Sequence, residues 1–255
     1  MKPTLRALLP WILPALLLAA WQLAVQGGVL SGRVLPALTD VAGAGWRLAA
    51  SGELGEHIRI SFVRAVTGFA IGGSIGFALG LLNGLSGVAE RLLDSSLQMI
   101  RNVPHLALIP LVILWFGIDE EAKLFLVALG VFFPMYLNTF HGIRNVDFQL
   151  VEMGRSYGMT RAALFTQVIL PGALPSVLVG LRYALGIMWL TLIVAETIAA
   201  TSGIGYLAMN AREFMLVDVV VLSILIYALL GKLADSAARL LERLCLQWHP
   251  AFQRQ

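Results

Sequence analysis

Arg182 and Glu196 are the two charged residues in a stretch, from Gly172 to Ala200, that is otherwise almost wholly apolar. A charge in such a segment costs about 2.5–3.5 kcal/mol to insert in a bilayer, so it marks a candidate functional site. An arginine can hold an anionic head group, and a glutamate can pair with a cation or with the arginine of another helix. The two are 14 residues apart. On a helix that is about 21 Å along the axis, so they cannot pair with each other. Both could line a pathway, Arg182 meeting an anion, or each could be bonded to neighbouring helices. Trp189 and Thr191 lie on the same segment and join them as candidate pathway residues. Thr191, Asn83 and Asn138 could also hydrogen-bond across helices, and Trp115, Phe116 and Trp189 could line a pathway or simply pack.

No catalytic constellation and no metal site emerges. His57, His105, His141 and His249 are scattered, and neither HExxH nor GxSxG occurs. A single cysteine, Cys245, excludes an intrachain disulfide and a multi-cysteine metal site. There is no GxxxxGK[ST] phosphate loop and no basic run with interleaved aromatics, so the chain shows neither a nucleotide-binding loop nor a nucleic-acid footprint.

The elements that must position these residues are membrane helices. Of 255 residues, 58% are hydrophobic and 13% charged, against about 25% charged in soluble domains. The mean hydropathy is +0.83. Apolar runs long enough to cross a hydrocarbon core recur, and a backbone in lipid must satisfy its own hydrogen bonds, which makes them helices. The pattern predicts an all-α polytopic membrane protein with six spans: Leu8 to Val25, Val66 to Leu85, Pro104 to Ile118, Lys123 to Phe140, Ala173 to Ala195 and Val217 to Leu233. Trp11 and Trp21 bracket the first as interfacial anchors. The third carries Pro104 and Pro110 and is short enough to be kinked or re-entrant. Arg59 and Arg64 precede the second and are expected to snorkel to the interface.

With the N-terminus inside, eleven Lys and Arg fall in inside segments (Lys2, Arg6, Arg91, Arg101, Arg144, Arg155, Arg161, Lys232, Arg239, Arg243, Arg254). Six fall outside (Arg33, Arg47, Arg59, Arg64, Lys123, Arg212). That bias puts both termini in the cytoplasm. In the second span Gly68, Gly72, Gly76, Gly80 and Gly84 recur every fourth residue, a groove for close approach of another helix of this chain or of a second copy.

Residues 141–172, HGIRNVDFQLVEMGRSYGMTRAALFTQVILPG, interrupt the membrane pattern on the cytoplasmic side. Asp147 is placed to cap a helix through Tyr157, Gly158 to stop it in a left-handed turn, and Thr160 to cap a second helix with Leu164 and Val168 on one face. Pro171 is expected to end that helix before the fifth span. The apolar residues Leu150, Met153 and Tyr157 could pack on the spans or dock in a partner groove.

This loop resembles the EAA motif, E-A-A-x3-G-x9-I-x-L-P, of binding-protein-dependent ABC importer permeases. Glu152 takes the Glu position, Met153 and Gly154 replace the alanines, Gly158 is the Gly, Val168 stands for Ile, and Leu170 and Pro171 close the motif. MIRNVPHLALIPLVILWFGID, VILPGALPS and MWLTLIVAETIAATSGIGYLAMNAREF are similar to the aliphatic-sulfonate permeases of that family. Taurine and nitrate permeases share the wider pattern. The resemblance implies a type I importer permease fold, MetI-like, in the bacterial inner membrane. It implies a non-catalytic subunit that works as two copies on two cytoplasmic ATPases, which use ATP and Mg, with a periplasmic binding protein delivering substrate. The coupling role falls on Glu152, Met153, Gly154, Gly158, Val168, Leu170 and Pro171. The implied organisation is an N-terminal helix and periplasmic segment over residues 1–56, a permease domain over 57–241 with the loop at 141–172, and a cytoplasmic tail over 242–255. The Thr201 to Asn210 stretch resembles the family's outer loop, which would touch the binding protein.

Overall fold

The computed structural model describes the backbone of residues 3–32 and 34–248, and their side chains from residue 12 onward, Ala199 excepted. Lys2, Arg33, His249 and Arg254 therefore lie outside the described residues, and the side chains of Arg6 and Trp11 outside the described side chains. The chain divides into two units, residues 1–60 with 201–227, and residues 61–200 with 228–255.

The first unit contains α1 (Pro3–Gln26), α2 (Leu38–Ala50), α10 (Ile204–Glu213), and the beginnings of α3 (Glu53–Leu85) and α11 (Val217–Cys245). Its core is Ala44, Leu207, Ala211 and Val219, with Leu48 and Leu54 against it. Trp21 donates its indole N–H to the Pro36 carbonyl at 3.0 Å. The Thr201 to Asn210 stretch is a bend followed by α10 rather than an open loop. Gly203, at φ 108°, donates its N–H to His57 Nδ1 at 3.0 Å, and only glycine holds that backbone geometry cheaply.

The second unit is organised around α6 (Glu120–Arg144), which packs on α3 and on α9 (Leu170–Ala199). The glycine row of α3 faces α6. A methyl at Gly68 would lie 2.7 Å from the Val127 side chain, one at Gly84 2.9 Å from Ile143, and one at Gly72 or Gly76 would overlap the Ala128 or Phe132 carbonyl. Gly80 lies against Thr139 in the same way. The α6–α9 seam uses the same device from both sides, with Gly130 against Thr191, Gly142 against Ser176, and Gly180 against Asn138. In lipid there is no hydrophobic force between helices, so such close backbone approach supplies the attraction. Outward positions such as Leu82, Leu114 and Leu229 are exposed and apolar, the surface that hydrocarbon requires.

Among the described residues four helical stretches are long and apolar enough to cross a membrane: α3, α6, residues 161–198, and α11. α4 (Gly87–Arg101) and residues 105–116 make a fifth if that bent pair is one span. Three sequence expectations need correction. The helix that carries the second span begins at Glu53, well before Val66. Polar residues in its first turns lower the hydropathy there, but several of them are paired inside the protein. The third is not a straight helix from Pro104 to Ile118: a 3-10 turn, His105–Leu108, leads into the eight-residue α5 (Ile109–Phe116), bent 78° from α4. Pro104 disfavours helix at Val103, and Gly117 at φ 73° ends α5. α5 is about 12 Å long, well short of the ~30 Å core.

The third correction concerns Pro171. The short α8 (Arg161–Leu164) does not stop there but passes through a π turn, Phe165–Ile169, into α9. The Leu170 N–H donates to the Phe165 carbonyl five residues back. Proline offers no N–H to the fourth carbonyl before it, and the one-residue bulge lets the helix absorb that loss and continue.

Candidate functional site

The knob between α6 and α9 is built from local chemistry. Asp147 accepts from the Gln149 N–H at 2.8 Å and starts α7 (Phe148–Ser156), and Thr160 accepts from the Ala163 N–H at 3.2 Å and starts α8. Between them the Met159 N–H donates to the Gly154 carbonyl (3.1 Å) and the Gly158 N–H to the Arg155 carbonyl (2.9 Å). This is a Schellman closure with Gly158 at φ 75° in its left-handed position. No atom lies within 4 Å of a Cβ built on Gly158, so its requirement is conformational rather than steric.

Gly154 has the opposite requirement. It is buried, and a Cβ there would lie 2.7 Å from Leu164 Cδ1, 3.0 Å from Met159 Sδ and 3.9 Å from Val168 Cγ2. α7 is thereby clamped on α8 and the π turn. Val168, Leu170 and Pro171 are half-buried at the junction with α9. Glu152 is exposed, its carbonyl accepting from Ser156 Oγ at 3.0 Å. Phe148, Leu150, Met153 and Tyr157 are also exposed, Tyr157 by 81%. The apolar face of α7 is therefore not packed on the spans of this chain.

The charges in the spans fall into two clusters. Glu196 is fully buried. Arg64 donates from Nη1 to its Oε1 at 2.8 Å, and Ser61 Oγ lies 2.8 Å from both its oxygens. Arg64, only 4% exposed, also grips Glu120 with Nε and Nη2, both at 2.6 Å. Lys123, likewise buried, donates to Glu120 Oε1 and to the carbonyls of Ile118 and Asp119. Arg64 therefore does not snorkel into solvent; its own side chain is buried and links the buried Glu196 to the exposed Glu120. Arg59 is the exposed one, paired with Glu56.

Arg182 stands in the other cluster, partly exposed, its Nε 2.7 Å from Asp235 Oδ1 on α11. Thr191 is buried and bonded to His105 Nε2 at 3.1 Å. Trp189 is buried beside an apolar cavity of about 300 Å³ that Phe62, Phe69 and Leu230 help to line. The structure thus brings Glu196 together with α3 and α6, and separates it from Arg182. Asn83 donates to the Tyr136 hydroxyl at 2.8 Å, and that hydroxyl donates to Asp94 at 3.0 Å. Asn138 turns back to Pro134 of its own helix instead of crossing to another. Arg64, Glu120, Asp235 and Tyr136 are partners that sequence reasoning missed. Arg64 carried the one available signal, a cation three residues after Ser61 at the edge of an apolar run.

Comparison with known proteins adds to this geometry. Residues 72–245 match the family described as binding-protein-dependent transport system inner membrane component. Over 251 residues the chain is 66% identical to the protein designated aliphatic sulfonates transport permease protein SsuC of Escherichia coli (strain K12), covering 98% of this chain and 95% of that one. Its identity to the protein of the same designation from Bacillus subtilis (strain 168) is 48%, covering 95% of this chain and 88% of that one. Among solved structures, an amino acid ABC transporter with histidines shares the fold, with a TM-score of 0.60 at 20% identity, over 73% of this chain and 91% of that one. An all-helical fold built on the α3–α6–α9 seam, a helical knob between α6 and α9, and these likenesses lead to one statement: the chain belongs to the family of binding-protein-dependent transport system inner membrane components.

Proposed function

We propose that this chain is the membrane permease subunit of an ATP-driven importer that carries aliphatic sulfonates across the bacterial inner membrane, the knob facing the cytoplasm. The observation that carries the coupling part is the exposed apolar face of α7 on a knob clamped at Gly154. A row of Leu150, Met153 and Tyr157, three and four residues apart, suits a groove on a partner. The partner is a cytoplasmic ATPase that binds ATP and Mg. Two copies of the permease sit on two ATPases, and a periplasmic protein delivers the substrate.

The helix from Arg161 to Ile198 supports a lever. It runs 38 residues from the knob to the neighbourhood of Glu196, about 57 Å at helical rise. Nucleotide-driven movement of the knob is carried along that helix and biases two arrangements of the spans. The 66% identity to a permease designated for aliphatic sulfonates supports the substrate class.

The test is growth on a series of alkanesulfonates and on taurine, each as sole sulfur source, after deletion of the chain. Loss of growth on alkanesulfonates, restored by the wild-type chain but not by Gly158→Asp, is expected. Unimpaired growth of the deletion strain on every sulfonate contradicts the substrate assignment.

A further inference from the structure

The knob and the Glu196 network leave one charged cluster without a use. On α11, Asp235 holds three cations: Arg182 through Nε at 2.7 Å on Oδ1, Arg239 on Oδ2, and Lys232, its Nζ 3.6 Å from Oδ2. A single carboxylate neutralises one of them. Arg182 spends only its Nε there, and Arg239 only one terminal nitrogen. Among the described residues, the two terminal nitrogens of Arg182 make no further hydrogen bond. Five donors in a rigid fork, only partly used, are a ready partner for an oxyanion.

The fork opens on a groove of about 560 Å³ between α9 and α11. One wall is the α9 face bearing Val179, Tyr183, Ile187 and Leu190, which covers twelve residues of that helix, about 16 Å from first to last. Two of the groove's lining residues are glycines. A Cβ built on Gly186 or on Gly231 would meet nothing within 4 Å, so both leave the groove open where side chains would fill it. Glu242 also lines it; counted with the Lys232 and Arg239 that meet Asp235, the three cations Arg182, Lys232 and Arg239 outnumber the two carboxylates Asp235 and Glu242 by one. A second recess of about 420 Å³, on the same helix α11, is lined by Ser236, Arg239, Leu240 and Arg243.

We propose that the α9–α11 groove binds an amphipathic oxyanion, with a sulfonate or phosphate head on the Arg182 and Arg239 guanidiniums and an alkyl chain along Val179, Ile187 and Leu190. Asp235 positions the two forks. An alkanesulfonate and an anionic phospholipid share this chemistry. Naming the sulfonate as an occupant rests on the transport reading; the anion site does not.

The full chain in phosphatidylcholine nanodiscs is dialysed to equilibrium against radiolabelled hexanesulfonate, with and without phosphatidylglycerol in the disc. Saturable binding is expected. Arg182→Gln weakens it tenfold or more. Gly231→Leu, which fills open space and leaves every charge in place, weakens it to a similar degree, and the exposed-charge control Arg212→Gln binds as wild type. Competition by phosphatidylglycerol, lost in Arg182→Gln, identifies lipid as an occupant of the same site; sulfonate binding that phosphatidylglycerol does not displace identifies the free anion. Absence of saturable binding of either probe, or equal binding by wild type and Gly231→Leu, overturns the proposal. Because binding is read without ATPase or binding protein, its failure leaves the transport reading standing, and failed uptake leaves the site standing.

Discussion

Arg64 on α3 and Glu196 on α9 are 132 positions apart in the chain and form a buried ion pair, 2.8 Å from Nη1 to Oε1. The pair joins two helices that each pack on α6; Ser61 also donates to Glu196, and Arg64 also donates to Glu120. Burying two charges is costly, and the geometry repays it only while both partners are present.

Arg64→Leu is therefore expected to destabilise the fold by about 3–5 kcal/mol, because it takes the arginine away from a fully buried carboxylate. The Arg64→Leu/Glu196→Leu double variant recovers a large part of that loss. Thermal unfolding in detergent checks both, and a double variant no more stable than the single one contradicts the pairing.

The glycine row makes a second distinction. Gly72→Ala drives a methyl into the Ala128 carbonyl, whereas Gly186→Ala meets open space. Overpacking of this kind costs about 1–3 kcal/mol, and more where backbone must move. A lowered unfolding temperature for Gly72→Ala beside an unchanged or slightly raised one for Gly186→Ala, where alanine is the better helix former, is the expected result from a thermal scan of the two.

Tyr136→Phe removes one hydroxyl that serves two polar groups, accepting from Asn83 and donating to Asp94. Asn83 is fully buried. The expected loss is about 1–3 kcal/mol, the cost of an unsatisfied buried group. The companion variant Asn83→Ala/Tyr136→Phe is expected to lose less than the sum of its parts.

Local signals were the legible ones. Asp147, Gly158 and Thr160 act on neighbours within five residues, so their types and spacing announced two caps and a turn before any fold was known. The four-residue period of Gly68 to Gly84 announced a close helix contact, but not that α6 was the partner. Glu196 and Arg182 were conspicuous as charges, yet their partners Arg64 and Asp235 are 132 and 53 positions away. No local pattern encodes such pairing. Pro171 misled because a stop and a π bulge answer the same missing N–H, and the choice depends on packing of Leu164 and Val168 against Gly154. The early start of α3 is hidden for a related reason: Ser61 and Arg64 look like interface residues until Glu196 is brought beside them.

Tyr157→Ala probes the knob without touching its core, since the side chain is exposed. An aromatic anchor of an interface contributes about 2 kcal/mol or more when truncated. Affinity for the ATPase subunit is expected to fall about 30-fold, with the unfolding temperature of the isolated chain unchanged. Gly154→Val, by contrast, is expected to lower both, because it pushes α7 off Leu164.

The central claim, an importer subunit driven through the knob, is tested most directly by uptake of a radiolabelled alkanesulfonate into vesicles reconstituted with this chain, its ATPase and the binding protein. The account predicts uptake that requires ATP and all three components and that is abolished by Gly158→Asp. Uptake driven by an ion gradient in vesicles lacking the ATPase, or full ATP-dependent uptake by Gly158→Asp, would contradict it.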